Sequence, residues 1–373
     1  MKLLITTDSY GPRWDGIARF LKEIIPRLVK KYEITVVCPD FGPTKSEEFT
    51  TVKLPLGHRV FGDYQAPRFA YGRIKKLVAE SDIVFNQTLG PIGVAAILAA
   101  KRKRKPCLSF THSLEWELFP KALGATWMRQ FAYPATRLFV KSMYRRCSVL
   151  IVPSENTAEQ LTWQGVLTAK RIAHLGVDIK KFVPGEKRLA RAALGLPQGA
   201  FLIGYHGRIA YEKNLLTLLR AFLRLRIPNS RLLIVGDGVP ALKARLRKEG
   251  VILVGNHEHV TPYLQAMDLY VMPSLTETTC LSVLEAMACE LPVISSRVGF
   301  VQHYIHEDEN GFFFDMRSEY SLAQKIQLVR SLSPEALATV CTEARQTVVR
   351  GFHWDATAQK IADAINEFGP VQK

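Results

Sequence analysis

The apolar run Leu269-Tyr270-Val271-Met272, closed by Pro273-Ser274 and followed by the helix-forming stretch Leu281 to Ala288, constrains this chain more than any other segment. A short apolar run bounded by a turn reads as a strand buried on both faces, the mark of a parallel sheet. Pro292-Val293-Ile294-Ser295 reads as the next strand, so the stretch is a strand–loop–helix–strand unit of an α/β fold. Its loop carries Glu277 and its helix carries Glu285. A helix starting near Thr279 places Glu285 almost two turns in, at roughly 1.5 Å per residue. The two carboxylates are then offset along one ligand and are not paired on one atom. That spacing suits a long substrate with hydroxyls at both ends and an anion in the middle. The N–H groups of Thr279 to Ser282 point at that middle, where a helix start favours phosphate.

The rest of the chain repeats the pattern. Strand Lys2–Thr6, the turn-rich loop Asp8 to Gly16, a helix from Ile17 to Lys30 and strand Ile34–Pro39 form an opening βαβ unit. Strand Asp82–Phe85, helix Pro91–Ala100 and strand Pro106–Thr111 follow, and Thr111-His112-Ser113 falls just past a strand end, where open α/β sheets gather ligands. Strand Ser148–Val152 and strand Arg171–His174 lead to a boundary near 180–187. Beyond it, strand Phe201–Tyr205 runs into His206-Gly207-Arg208-Ile209-Ala210-Tyr211-Glu212-Lys213-Asn214, and strand Arg231–Val235 runs into Gly236-Asp237-Gly238, a turn whose glycines admit a close backbone approach. Strand Val251–Val254, Asn310–Phe314, helices over 318–331 and 334–349, and an amphipathic segment from Trp354 to Phe368 complete the reading.

Charge is uneven. The net charge is +16, and residues 1–180 hold 28 Lys and Arg against 15 Asp and Glu. A one-sided basic surface favours anionic partners such as lipid head groups or phosphorylated carriers. Lys101 to Lys105 are five adjacent cations at a helix end, partly explained by the helix dipole. Between Lys121 and Arg146, Arg129, Arg137, Lys141 and Arg145 form a slowly drifting stripe among Trp127, Met128, Phe131, Tyr133, Leu138, Phe139 and Tyr144. The mixture suits a water–membrane interface, and equally an internal helix with snorkelling arginines. Pro134 is expected to kink or break this helix. The six cysteines form no Cys-x-x-Cys pair, no cysteine lies at zinc spacing from a histidine, and no apolar stretch reaches the roughly 18 residues of a membrane span. A cytoplasmic protein is expected, attached peripherally to the inner face of the membrane.

Several of these segments carry a resemblance. Pro273 to Ser295 resembles the Glu-x7-Glu signature of the family-4 glycosyltransferases of GT-B fold, Gly207-Arg208 to Lys213-Asn214 is similar to that family's phosphate site, and Gly176-Val177-Asp178 with Phe182 and Pro184 is similar to its interdomain linker. The resemblance implies two Rossmann-like doubly wound domains facing a cleft: 1–180 for the acceptor, 181–352 for a nucleotide sugar, and a helix over 353–373 crossing back. It implies that Glu277 contacts the donor sugar and that Glu285 holds the ribose hydroxyls. Arg208 and Lys213 clamp the diphosphate, and His112 lies beside the reacting sugar. Gly16, Gly207, Gly238, Thr278, Thr279, Cys280 and Leu281 complete the donor site. Two departures stand out. Asp15-Gly16 replaces a Gly-Gly pair, and Glu290 stands where the family usually has Gly.

The expected reaction is retaining transfer of a sugar from a UDP- or GDP-type donor to an acceptor hydroxyl. With no Asp-x-Asp run, neither a metal nor another cofactor is expected. The expected acceptor is a membrane lipid or lipid-linked glycan; the alternative is a soluble enzyme making a polysaccharide or small glycoside. A nucleic-acid-binding protein is disfavoured, because no zinc finger, helix–turn–helix spacing or RNP-like run supports it. An epimerase or phosphorylase on the same architecture would lack the Glu277, Glu285, Arg208 and Lys213 combination.

Overall fold

Two alternations of strand and helix produce two separate parallel sheets. The computed structural model describes residues 1–13, 15–43, 48–61, 64–112, 126–277 and 279–370. The chain divides into one unit of Met1–His174 with Trp354–Lys373 and a second of Leu175–His353, so the first division falls before the 180–187 region read from the sequence.

The first unit runs β1 (Lys2–Thr6), α1 (Gly16–Leu28), β2 (Glu33–Pro39), β3 (Thr50–Leu54), β4 (Leu56–Phe61), β5 (Tyr64–Pro67), α2 (Tyr71–Glu80), β6 (Ile83–Asn86), α3 (Pro91–Lys103), β7 (Cys107–Phe110), α4 (Thr126–Tyr144), β8 (Val149–Val152), α5 (Glu155–Trp163) and β9 (Lys170–Ile172). Its sheet has the order β3-β2-β1-β6-β7-β8-β9, with parallel pairs throughout, and β4 and β5 form a separate antiparallel pair. Every residue of β6, β7 and β8 is buried, as a central parallel sheet requires. The C-terminal helix Trp354–Phe368 packs on α1 of this unit. Arg27 Nε meets Asp355 Oδ1 at 2.6 Å, and the Tyr32 hydroxyl donates to Asn366 Oδ1 at 2.9 Å.

The second unit runs α6 (Lys187–Ala193), β10 (Phe201–His206), α7 (Leu215–Leu225), β11 (Ser230–Val235), α8 (Pro240–Lys248), β12 (Ile252–Gly255), α9 (Thr261–Ala266), β13 (Leu269–Met272), α10 (Leu281–Ala288), β14 (Val293–Ser296), α11 (Val301–Tyr304), β15 (Phe312–Phe314), α12 (Glu319–Ser331) and α13 (Pro334–Gly351). The sheet order is β12-β11-β10-β13-β14-β15, again parallel. A single apolar core built on Leu202, Ile203, Leu233, Val271, Leu284 and Ile294 holds helices to both faces.

Two details differ from the sequence reading. Helix α4 continues through Pro134 without a break, and α1 likewise contains Pro26. A proline removes one backbone bond, and in a helix of 19 residues the others keep the element together. Helix α10 begins at Leu281, not near Thr279, so Glu285 sits only about one turn in, roughly 6 Å along the axis. The delay comes from Cys280, whose φ of 56° puts the residue before the helix in the left-handed region.

Glu290 also has a left-handed backbone, with φ 57°. Its N–H donates to the Met287 carbonyl at 3.0 Å, and Leu291 N–H donates to Ala286 at 3.2 Å. The helix therefore ends in the turn that glycine favours, even though glutamate occupies it. A left-handed L-residue costs about 1–2 kcal/mol, and glycine's extra unfolded-state freedom costs about 0.5–1 kcal/mol. Glu290→Gly is therefore expected to raise the unfolding free energy by about 0.5–1 kcal/mol. Chemical denaturation of the two proteins side by side checks this, and a lower midpoint for the glycine variant contradicts the strain.

Candidate active site

In the second unit the loops after β10 and β13 lie side by side, because these strands are neighbours and parallel. Several bonds stitch the loops together. Leu275 N–H donates to the Glu212 carbonyl at 2.8 Å, and Asn214 Nδ2 donates to the Pro273 carbonyl at 3.2 Å. Asn214 itself is left-handed, with φ 51°, and ends the short 3-10 turn Tyr211–Lys213 just before α7.

This arrangement brings Lys213 onto Glu277. Lys213 Nζ lies 2.5 Å from Glu277 Oε1, and both side chains are largely buried. The Ser274 hydroxyl donates to the same oxygen at 2.7 Å. Arg208 is different: its guanidinium is 70% exposed and, among the described residues, pairs with Glu212, at 2.5 Å across one turn. An exposed pair of this kind is weak, so Arg208 is available to a stronger anion. Next to them, α10 starts with no side-chain cap on its first N–H groups. Thr279 and Cys280 are buried, and their carbonyls accept from the Tyr304 hydroxyl at 3.0 and 3.3 Å. Burial raises the Cys280 thiol's pKa and keeps it neutral. Leu281 is the first residue of α10, and Thr278 lies outside the described residues.

Glu285, on the same helix, is 3% exposed and faces β10. Its Oε2 accepts from His206 Nε2 at 2.6 Å. His206 was not singled out from the sequence. Its only signal is a histidine at the end of an apolar strand, directly before Gly207-Arg208.

The glycines divide by role. Gly207 has φ 138°, in a region that side-chain-bearing residues avoid, and turns the chain after β10. Gly238 was expected to face a ligand, but its close neighbour is the chain itself. A Cβ there would lie 2.0 Å from the Ile209 carbonyl oxygen, and Val239 N–H donates to that same oxygen at 2.8 Å. Gly236 has the same relation to the Gly207 carbonyl, at 1.9 Å. Both glycines let the β11 loop press against the β10 loop and fix the backbone around Arg208.

The first unit holds Gly16 and His112. Gly16 opens α1, and a Cβ there would meet nothing within 4 Å. The helix start is already occupied: Asp15 Oδ1 accepts from Ile17 N–H at 3.0 Å and from Ala18 N–H at 2.9 Å. Burial alone would raise the Asp15 pKa, but bonds from Ala18 N–H, Ser9 and Arg13 outweigh it and lower the value. An external phosphate at this helix end would be repelled by a carboxylate, whereas a sugar hydroxyl would not, so of the two parts of a donor only the sugar suits Gly16.

His112 follows β7 and packs on Phe110 and Phe20, with ring centroids 4.5 and 4.9 Å away. Its Nε2 lies 3.0 Å from Gln87 Oε1. Burial pushes its pKa down to about 3, against the opposing pull of Asp15. A ring with that pKa stays neutral near pH 7, so it acts through hydrogen bonds and not through charge. Ser113, next to it in the sequence reading, lies outside the described residues. The sequence reading also missed Asp8, which accepts from Ile92 and Gly93 N–H at 2.9 and 3.1 Å and so caps α3 from the loop after β1.

Comparison with known proteins identifies the family and the fold. Residues 14–181 match the family model described as Glycosyltransferase Family 4, and residues 200–330 match the one described as Glycosyl transferases group 1. A GDP-mannose-dependent alpha-mannosyltransferase of Corynebacterium glutamicum is 25% identical over 98% of this chain and 86% of its own length. A GDP-mannose-dependent alpha-(1-6)-phosphatidylinositol monomannoside mannosyltransferase of Mycolicibacterium smegmatis is 24% identical over 98% of both chains. Among solved structures, HepE of Anabaena in complex with UDP superposes with a TM-score of 0.79 at 19% identity, over 98% of this chain and 100% of that one. Two Rossmann-like parallel-sheet units of GT-B type and matches to both family models place the chain in one family: it belongs to the family-4 glycosyltransferases of GT-B fold.

Proposed function

We propose that this glycosyltransferase moves a hexose from a nucleoside-diphosphate sugar to a hydroxyl of a membrane lipid or lipid-linked glycan, with retention of anomeric configuration and without a divalent cation. The observation that carries the reading is the Lys213–Glu277 contact of 2.5 Å, with Arg208 and the uncapped start of α10 on neighbouring loops of one sheet edge. A sugar carrying a diphosphate meets each of these groups in turn: Glu277 for its hydroxyls, Lys213 and Arg208 for its phosphates, and Glu285 for the ribose.

As the glycosidic bond to the diphosphate breaks, negative charge grows on the leaving phosphate. Two cations and the helix N–H groups stabilise it where it develops, which takes the place of a metal ion. The departing phosphate oxygen accepts the acceptor's proton, so the reaction calls for no protein base. The neutral state of His112 fits that assignment: its role is to orient a hydroxyl.

The lipid acceptor is supported by two observations. The Mycolicibacterium smegmatis relative is named for a phosphatidylinositol monomannoside acceptor. On the described part of α4, Tyr133, Leu138 and Phe139 are exposed, while Tyr144 is buried in the core. Exposed apolar residues beside Arg137 and Lys141 suit a surface helix at a bilayer interface. The side chains of Trp127, Met128, Arg129 and Phe131, which the sequence placed in the same stripe, lie outside the described residues, as does Lys121. Among the described residues, no helix is long and apolar enough to cross a membrane.

Two measurements test these assignments. With a panel of UDP-, GDP- and ADP-sugars, nucleoside diphosphate release is expected with at least one donor, to be stimulated by lipid extract and to survive a chelator. Arg208→Ala is expected to slow turnover about a hundredfold, the roughly 3 kcal/mol typical of one lost transition-state donor. A normal rate in that variant removes Arg208 from the mechanism. Separately, the protein is expected to sediment with anionic vesicles at low salt and to be released by high salt or by Leu138→Glu. Failure to sediment at low salt sinks the membrane assignment and leaves the transferase reading standing.

A further inference from the structure

We infer that His206 is a positioning residue for the nucleotide end of the donor site, holding the Glu285 carboxylate in the orientation that receives the ribose hydroxyls. This rests on the reading that Glu285 binds the nucleotide.

The geometry is specific. Nε2 lies 2.6 Å from Glu285 Oε2, and since a carboxylate only accepts, Nε2 carries the shared proton. Both residues are almost wholly buried, at 6% and 3% exposure. The ring is held from below: it packs on Tyr270 with centroids 5.3 Å apart, and the Tyr270 hydroxyl donates to the His206 carbonyl at 3.3 Å. The backbone is held as well, because His206 ends β10 and Gly207 N–H donates to Val235 O at 2.9 Å.

The other ring nitrogen separates a positioning role from a plain structural one. Nδ1 is buried and meets no hydrogen-bond partner among the described residues. An unpaired buried nitrogen is destabilising, so a histidine serving only its own polar satisfaction gains by pairing both. Here one nitrogen is left unmet while the other reaches Glu285. The arrangement favours the carboxylate over the imidazole. Losing the Nε2 donor would free this deeply buried carboxylate to turn, and a turned carboxylate is a poorer acceptor for ribose hydroxyls.

Ribose lies away from the bond that breaks, so its contacts are equal in ground and transition states. Losing them raises KM and leaves kcat nearly unchanged. The test is titration calorimetry with UDP and with GDP, together with donor KM and kcat for whichever sugar nucleotide turns over. The proteins are wild type, His206→Val, His206→Gln, His206→Asn and Glu285→Gln, each with a thermal melt.

His206→Val is expected to loosen nucleoside diphosphate binding about tenfold, as for one lost hydrogen bond to a charged group, and to raise donor KM in step. The glutamine amide nitrogen overlies Nε2, so His206→Gln is expected to recover most of that loss. The asparagine nitrogen reaches only the Nδ1 position, so His206→Asn is not. Equal binding by the glutamine and asparagine variants overturns the inference even if the valine variant fails to fold. A fall in kcat matching the rise in KM overturns it too. Weak binding by Glu285→Gln with unchanged binding by His206→Val overturns the inference alone. Unchanged binding by Glu285→Gln removes the underlying reading of Glu285 as well.

Discussion

Parallel pairing of β10 with β13 is the constraint on which the site depends. In a parallel pair both strands end at the same edge, so the loops that follow them are neighbours whatever their sequence separation. Lys213 and Glu277, 64 residues apart in the chain, meet at 2.5 Å for this reason. The same pairing puts His206, the last residue of β10, within 2.6 Å of Glu285 on the helix after β13. Neither contact needs a long loop or a local motif. Both follow from a sheet whose strands are apolar enough to be buried on two faces.

The loops then have to be held still, and this is done with backbone rather than side-chain bulk. Gly236 and Gly238 let the β11 loop press against Gly207 and Ile209, where any Cβ would overlap a carbonyl oxygen. Bonds from Ile209 N–H to Asp237 O and from Val239 N–H to Ile209 O, both 2.8 Å, lock that contact. Arg208 thus projects from a rigid backbone with an exposed side chain held by a surface pair with Glu212, whereas Lys213 is buried against Glu277. A buried lysine and an exposed arginine suit different tasks: the first can fix the place of an anion, and the second can follow its charge.

Much of this was legible in the sequence. Leu269–Met272 and Trp354–Phe368 match the elements to the residue, because each is a clean apolar or amphipathic run with a turn signal at its edges, whereas the helix ending at Ala288 starts two residues later than the sequence suggested. Glu277, Glu285, Arg208 and Lys213 stood out by spacing around such runs. What escaped notice was of another kind. His206 lies inside an apolar strand, and its meaning comes only from a helix nearly 80 positions later. Gly238 carries the same glycine signal whether a ligand or a neighbouring loop approaches it. Asp15 looked like half of a lost glycine pair, yet it is the cap of α1, a role that depends on which N–H groups its carboxylate reaches. Pattern reveals elements and their ends, while partners across a sheet are set by topology.

The helix starts beside the candidate site differ from those at the corresponding edge of the first unit. In the first unit, α1 and α3 are capped by the chain's own carboxylates, Asp15 on Ile17 and Ala18 and Asp8 on Ile92 and Gly93, and α5 is capped by Ser154. Burial raises the Asp8 pKa while bonds from Thr88, Ile92, Gly93 and Gly90 pull it down. A diphosphate brought to that edge would compete with resident acceptors for the same N–H groups. In the second unit, α7 and α10 begin with left-handed residues, Asn214 and Cys280, and neither start has a side-chain cap. Their dipoles are unopposed by an internal carboxylate at the cap, and Lys213 and Arg208 add positive charge beside them. These two helix starts are therefore better suited to an anion than the carboxylate-capped starts of α1 and α3. In the first unit, the capped starts of α1 and α3 and a neutral His112 at the strand edge suit an uncharged hydroxyl better than a phosphate.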